Sequence, residues 1–106
     1  MTKDELPPAL LHALAKALDG PLAGYRPLRV FLFGSRAAGT AHPRSDFDIG
    51  VDAGRPLSAR DLTRLRDALE AAPLLARIDV VDFARVGGEF REQALRSTVT
   101  LHVRAA

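Results

Sequence analysis

The chain has no cysteine among its 106 residues, which excludes disulfides and thiolate metal sites. It has no run approaching the roughly 20 apolar residues of a membrane-spanning helix. The N-terminus lacks a basic region followed by an apolar core, so no signal peptide is expected and a cytoplasmic location is the simple reading. Charge of one sign is missing too. Fifteen Lys and Arg against 13 Asp and Glu leave a formal net charge of +2. Arginine supplies nearly all the positive charge, scattered from Arg26 to Arg104 rather than packed into a basic tract. Direct binding to nucleic acid is therefore not demanded. There is no internal repeat, low-complexity tract or convincing linker. What remains is the composition of a globular protein, large enough for one core but not two. Residues 1–106 are expected to form a single domain.

The stretch that carries chemistry runs from Leu28 to Val51, LRVFLFGSRAAGTAHPRSDFDIGV. An apolar run, Leu28 to Phe33, reads as a central strand and breaks at Gly34-Ser35-Arg36. Arg36-Ala37-Ala38 can add a short helical turn before Gly39, and His42-Pro43-Arg44 forms a loop. A second strand, Asp46 to Asp52, alternates polar and apolar residues. Side chains of a strand alternate between faces, so Asp46 and Asp48 share one face, continued by Gly50 and Asp52. Phe47, Ile49 and Val51 point the other way, into a core. Two neighbouring carboxylates repel unless a cation or proton relieves them. Mg²⁺ takes such oxygen ligands, usually one or two carboxylates plus substrate phosphates. The Gly34-Ser35 turn can offer backbone N–H groups and a hydroxyl to those phosphates.

Gly-Ser, ten intervening residues and Asp-x-Asp resemble the signature of the nucleotidyltransferases similar to DNA polymerase beta. The short chain and the GSRAAG…SDFDIGV string look like the minimal nucleotidyltransferases of that superfamily, which often pair with a HEPN-domain ribonuclease toxin. The resemblance implies an α/β (α+β) fold, a mixed sheet with helices packed on one side. It implies a third carboxylate on a later strand. Arg77-Ile78-Asp79-Val80-Val81-Asp82-Phe83 supplies the matching hydrophobic–Asp–hydrophobic string, which assigns that role to Asp79. If Ile78 and Val80 enter the core, Asp79 joins Asp46 and Asp48, while Asp82 points elsewhere and caps a turn.

The catalytic and metal-ligating residues implied are thus Asp46, Asp48 and Asp79, holding two Mg²⁺ ions. Gly34, Ser35 and Arg36 would contact the phosphates of ATP. The family's implied activity is transfer of AMP to a tyrosine of the HEPN toxin, making the chain an antitoxin. Alternatives are a non-catalytic antitoxin that acts by contact, or a transferase acting on RNA or on small molecules such as aminoglycosides. Larger relatives continue into a helical domain, so the acceptor surface is expected from a partner. His42 and Arg44 lie near the site but admit a plain loop reading.

The remaining elements follow from periodicity. Thr2 and Glu5 have capping-box spacing, and Leu10, Leu11, Leu14 and Leu18 recur at helical spacing until Asp19-Gly20-Pro21. His12 on this helix is a structural residue, and Tyr25 in the connector can pack over the helix. Ser58 is an N-cap with Asp61 three later, and Leu62, Leu65, Leu69 and Ala72 mark a buried stripe that Pro73 ends. Arg60, Arg64, Arg66 and Asp67 face water. Gly87-Gly88 precedes a short helix over 89–96, and Thr98 to Val103 forms a closing edge strand.

Overall fold

A computed structural model describes Thr2 to Ala106. The expected capping box does not open a helix. Lys3–Glu5 is one 3-10 turn, and the Thr2 hydroxyl reaches only the Glu5 carboxylate, at 3.5 Å. Helix α1 spans Pro8–Asp19. Pro8 disfavours helical geometry at the residue before it, and its own missing N–H is harmless at a first helical position. Leu10, Ala13, Leu14 and Ala17 are the buried stripe of α1, Leu11 and Leu18 flank it, and His12 is exposed.

Strand β1 (Leu28–Phe33) leads into α2 (Gly34–Ala38), then β2 (Phe47–Asp52), α3 (Ala59–Glu70), β3 (Ile78–Asp82), α4 (Gly88–Ala94) and β4 (Val99–Arg104). The sheet order is β3-β2-β1-β4. β1 pairs antiparallel with β2 and with β4, whereas β2 and β3 run parallel. A parallel pair needs a long crossover, and α3 provides it. The Ser58 hydroxyl accepts from the Asp61 N–H at 3.0 Å, which starts α3 where the sequence placed its cap. Tyr25 is buried. Its hydroxyl donates to Asp61 at 2.7 Å and accepts from the Ser58 N–H at 3.0 Å, so it ties the connector to the start of α3.

Helices α1 and α3 cover one face of the mixed sheet and bury Val30, Leu32, Phe47, Ile49, Val51, Ile78 and Val80 beneath them. The opposite face carries a second, smaller cluster that the sequence did not reveal. Phe31, Phe33 and Phe83 pack there in tilted and edge-on contacts, with ring centroids 4.8 to 6.2 Å apart. Val86, Ala94 and Leu95 close over them. No helix among the described residues is long and apolar enough to cross a membrane.

Candidate active site

The first wall of the site is the junction of β1 and α2. The sequence placed helical residues from Arg36, but the helix begins at Gly34 itself. Gly34 has φ +75°, and a Cβ there would overlap the Asp48 carboxylate. Only glycine meets both conditions, and its bare backbone lets Asp48 lie directly against the turn. Ser35 is half-buried and lines a cavity of about 570 Å³ between α2 and α4, with Phe33, Thr40, Phe90 and Arg96 among its walls.

The second wall is the β2–β3 pair. Phe47, Ile49, Ile78 and Val80 are buried, as alternation requires, and the register sets Asp48 beside Asp79. Neighbouring strands lie about 4.8 Å apart, so these two carboxylates are close. Asp79 is exposed and Asp48 half-buried. Burial, then the charges of Asp79 and Asp46, push the Asp48 carboxyl above its ordinary value. Asp46 falls outside the strand expected for it. β2 begins at Phe47, whose N–H donates to the Arg77 carbonyl at 2.8 Å, and Asp46 is an exposed loop residue.

Among the described residues, none of the three aspartates has a cationic partner. Nor do any three carboxylate or imidazole groups converge closely enough to hold a metal by themselves. Crowded oxygen donors with no protein cation to relieve them suit Mg²⁺, with substrate phosphates completing its shell.

Arg36, the third residue expected at the phosphates, lies against the loop that follows α2. Its guanidinium donates to the Ser45 carbonyl at 3.0 and 2.7 Å and to the Pro43 carbonyl at 3.1 Å, and it stacks 3.8 Å over the Phe47 ring. His42 and Arg44 help to shape the same loop. The His42 N–H donates to the Ser45 hydroxyl, and the Arg44 N–H to the His42 ring.

The carboxylate face is not uniform. A Cβ on Gly50 would strike the rings of Phe31 and Phe83, so the aromatic cluster sits directly on this position. Asp52 fastens α4, accepting from Arg91 and from the Gly54 N–H, each at 3.0 Å. Burial raises its carboxyl, but those partners outweigh it and hold the group below its usual value. Asp82 is buried, as its separate face implied. It accepts from the Leu57 and Ala84 N–H groups at 2.9 and 3.1 Å and so caps the 3-10 turn Phe83–Arg85.

Comparison with known proteins places this geometry. The family described as polymerase beta, nucleotidyltransferase, matches residues 22–105. A Haemophilus influenzae protein named as a probable protein adenylyltransferase, MntA, is 36% identical over 63 residues. That alignment covers 59% of this chain and 55% of MntA, so the chain spans just over half the length of this curated relative. A solved toxin–antitoxin complex with AMP-PNP superimposes with TM-score 0.66 at 26% identity, over 89% of this chain and 73% of its counterpart. A structure assigned as a minimal nucleotidyltransferase superimposes with TM-score 0.57 at 34% identity, over 84% and 93% of the two chains.

Proposed function

This chain belongs to the polymerase beta nucleotidyltransferase family, and on that premise we propose that it is a protein adenylyltransferase antitoxin. It transfers AMP from ATP to a tyrosine hydroxyl of a partner HEPN ribonuclease toxin. The carrying observation is the register that sets Asp48 beside Asp79, against the Gly34 turn and without a cationic partner among the described residues. The likeness to MntA and to a toxin–antitoxin complex holding an ATP analogue supports the activity and the kind of partner.

In this reading residues 1–106 act as one catalytic domain. Asp46, Asp48 and Asp79 would hold Mg²⁺ together with the triphosphate. When bound, that ion neutralises phosphate charge and polarises the reacting phosphoryl group. Gly34 lets the triphosphate approach the backbone, and Ser35 donates its hydroxyl to a phosphate oxygen. The acceptor hydroxyl oxygen bonds to the α-phosphorus, and the bond from that phosphorus to the bridging β-phosphate oxygen breaks. Pyrophosphate leaves, and the hydroxyl proton passes to Asp79, the exposed carboxylate. The protein chiefly positions groups and balances charge. AMP added near an RNA-binding surface repels RNA through its negative charge.

The test pairs chemistry with protection. The toxin is incubated with this chain, ATP and Mg²⁺, and its intact mass is measured. One or more added AMP masses are expected with the parent and none with Asp46→Asn/Asp48→Asn. The double variant should still bind the toxin yet fail to protect cells. Full protection by that variant, with no nucleotide on the toxin, would replace this reading with neutralisation by contact.

A further inference from the structure

Asp46 presents a mechanical problem. It precedes β2, is exposed, and lies at the end of a seven-residue stretch, 40–46, without regular structure apart from a turn. A carboxylate on such a stretch has no strand to aim it. Asp48 and Asp79 are aimed by a paired register. A site that needs Asp46 beside them must fix the loop by other means.

We propose that Arg36 is the positioning residue that holds Asp46 at the site, rather than a ligand of the nucleotide. This rests on the nucleotidyltransferase reading above. Arg36 sits on α2, whose first residue, Gly34, lies directly against the Asp48 carboxylate. From there its planar guanidinium reaches across the loop. It grips the carbonyls of Pro43 and Ser45, the latter belonging to the residue that precedes Asp46. Its flat face lies on the Phe47 ring, the residue that follows. Asp46 is thus held on both sides by one side chain. The backbone of the Gly34–Asp48 junction and that of Asp46 become parts of one rigid piece. A fork with several fixed donors and a flat face can do this, whereas a lysine ammonium has three donors but neither the fixed planar geometry nor a face to stack on a ring.

The two roles for Arg36 make different predictions. A phosphate ligand acts through charge, so Arg36→Lys restores much of what Arg36→Met loses. A positioning residue acts through Asp46, so lysine does not rescue. Its loss is also already contained in the loss of Asp46. The measurement is equilibrium dialysis of Mn²⁺ with AMP-PNP across a membrane that retains the protein, reading the excess Mn²⁺ on the protein side. The parent, Arg36→Met, Arg36→Lys, Asp46→Asn and the Arg36→Met/Asp46→Asn double variant are compared. Residues that orient a metal ligand typically contribute about 10–100-fold in affinity, and a loss in that range is expected for both Arg36 variants. The double variant should be no weaker than Asp46→Asn alone. Hydrogen exchange on the same proteins, without ligand, should show amides of residues 42–47 exchanging faster in Arg36→Met while β1 and β3 stay protected. Losses that multiply in the double variant, rescue by lysine, or unchanged exchange in the loop would each overturn the inference. A parent that takes up no Mn²⁺ with AMP-PNP would overturn the underlying reading, and this inference with it.

Discussion

Asp48 is the residue on which the fold and the proposed chemistry pull in opposite directions. Burial, Asp79 and Asp46 raise its carboxyl in the folded chain above the ordinary value of 3.8. The native state therefore binds more protons than the unfolded one between 3.8 and the raised value. Stability falls as pH climbs through that window, and the deficit persists at neutral pH. Asp48→Asn removes the deficit. Without metal, this variant should melt above the parent at neutral pH, with the gap closing below 3.8. Thermal scans across pH check this, and equal melting at neutral pH would refute it. Asp52 has the opposite sign: its lowered carboxyl contributes stability above 3.8 that is lost as pH falls through its folded value. Alternation in the sequence was enough to put Asp48 and Asp79 on one face, because a buried apolar set on the other face fixes register. It could not show where the strand begins, and so misplaced Asp46. Nor could it show the work of Arg36, whose partners are backbone carbonyls and leave no mark in residue identity.

Among the elements, α4 depends most on polar anchoring. It buries no residue fully, and its Phe90 stands half-exposed, edge-on to Phe33. Arg91 anchors it by donating to the Phe83 carbonyl at 2.7 Å and to Asp52 at 3.0 Å. Charged hydrogen bonds contribute roughly 1.5–3 kcal/mol when shielded, but both side chains here are partly exposed, and about 1 kcal/mol is the reasonable expectation. Arg91→Met should lower the global urea midpoint slightly and speed amide exchange throughout α4 much more. Exchange in α4 unchanged from the parent would show that Arg91 does not anchor it. The helix itself was legible from the Gly87-Gly88 break, although its span is Gly88–Ala94 rather than 89–96. The aromatic cluster beneath it was not. Phe31 and Phe33 read simply as a buried strand, and Phe83 lies beyond the end of β3, where no periodicity links it to them.

Across the whole molecule, Arg104 joins the two ends of the chain. From the last strand it donates to the carbonyls of Leu18, Leu22 and Tyr25, at 3.3, 2.8 and 3.1 Å, around the exit of α1. Arg104→Met should cost about 2 kcal/mol, since a charged donor leaves several carbonyls without a partner, and unfolding should remain a single transition. Urea unfolding followed by circular dichroism tests both expectations, and an unchanged midpoint would remove Arg104 from this role. The architecture also bears on what can reach the carboxylates. Asp79 rides on β3, an edge strand of the sheet, and its side chain is exposed. In terms of reach, the Asp79 carboxylate stands at a rim rather than at the bottom of a pit. An acceptor too large to be engulfed, such as a side chain carried on another protein's surface, can slide up to that rim and present its hydroxyl without entering a cleft. In the proposed reaction, selectivity would then pass from the shape of an enclosing pocket to the body that carries the hydroxyl.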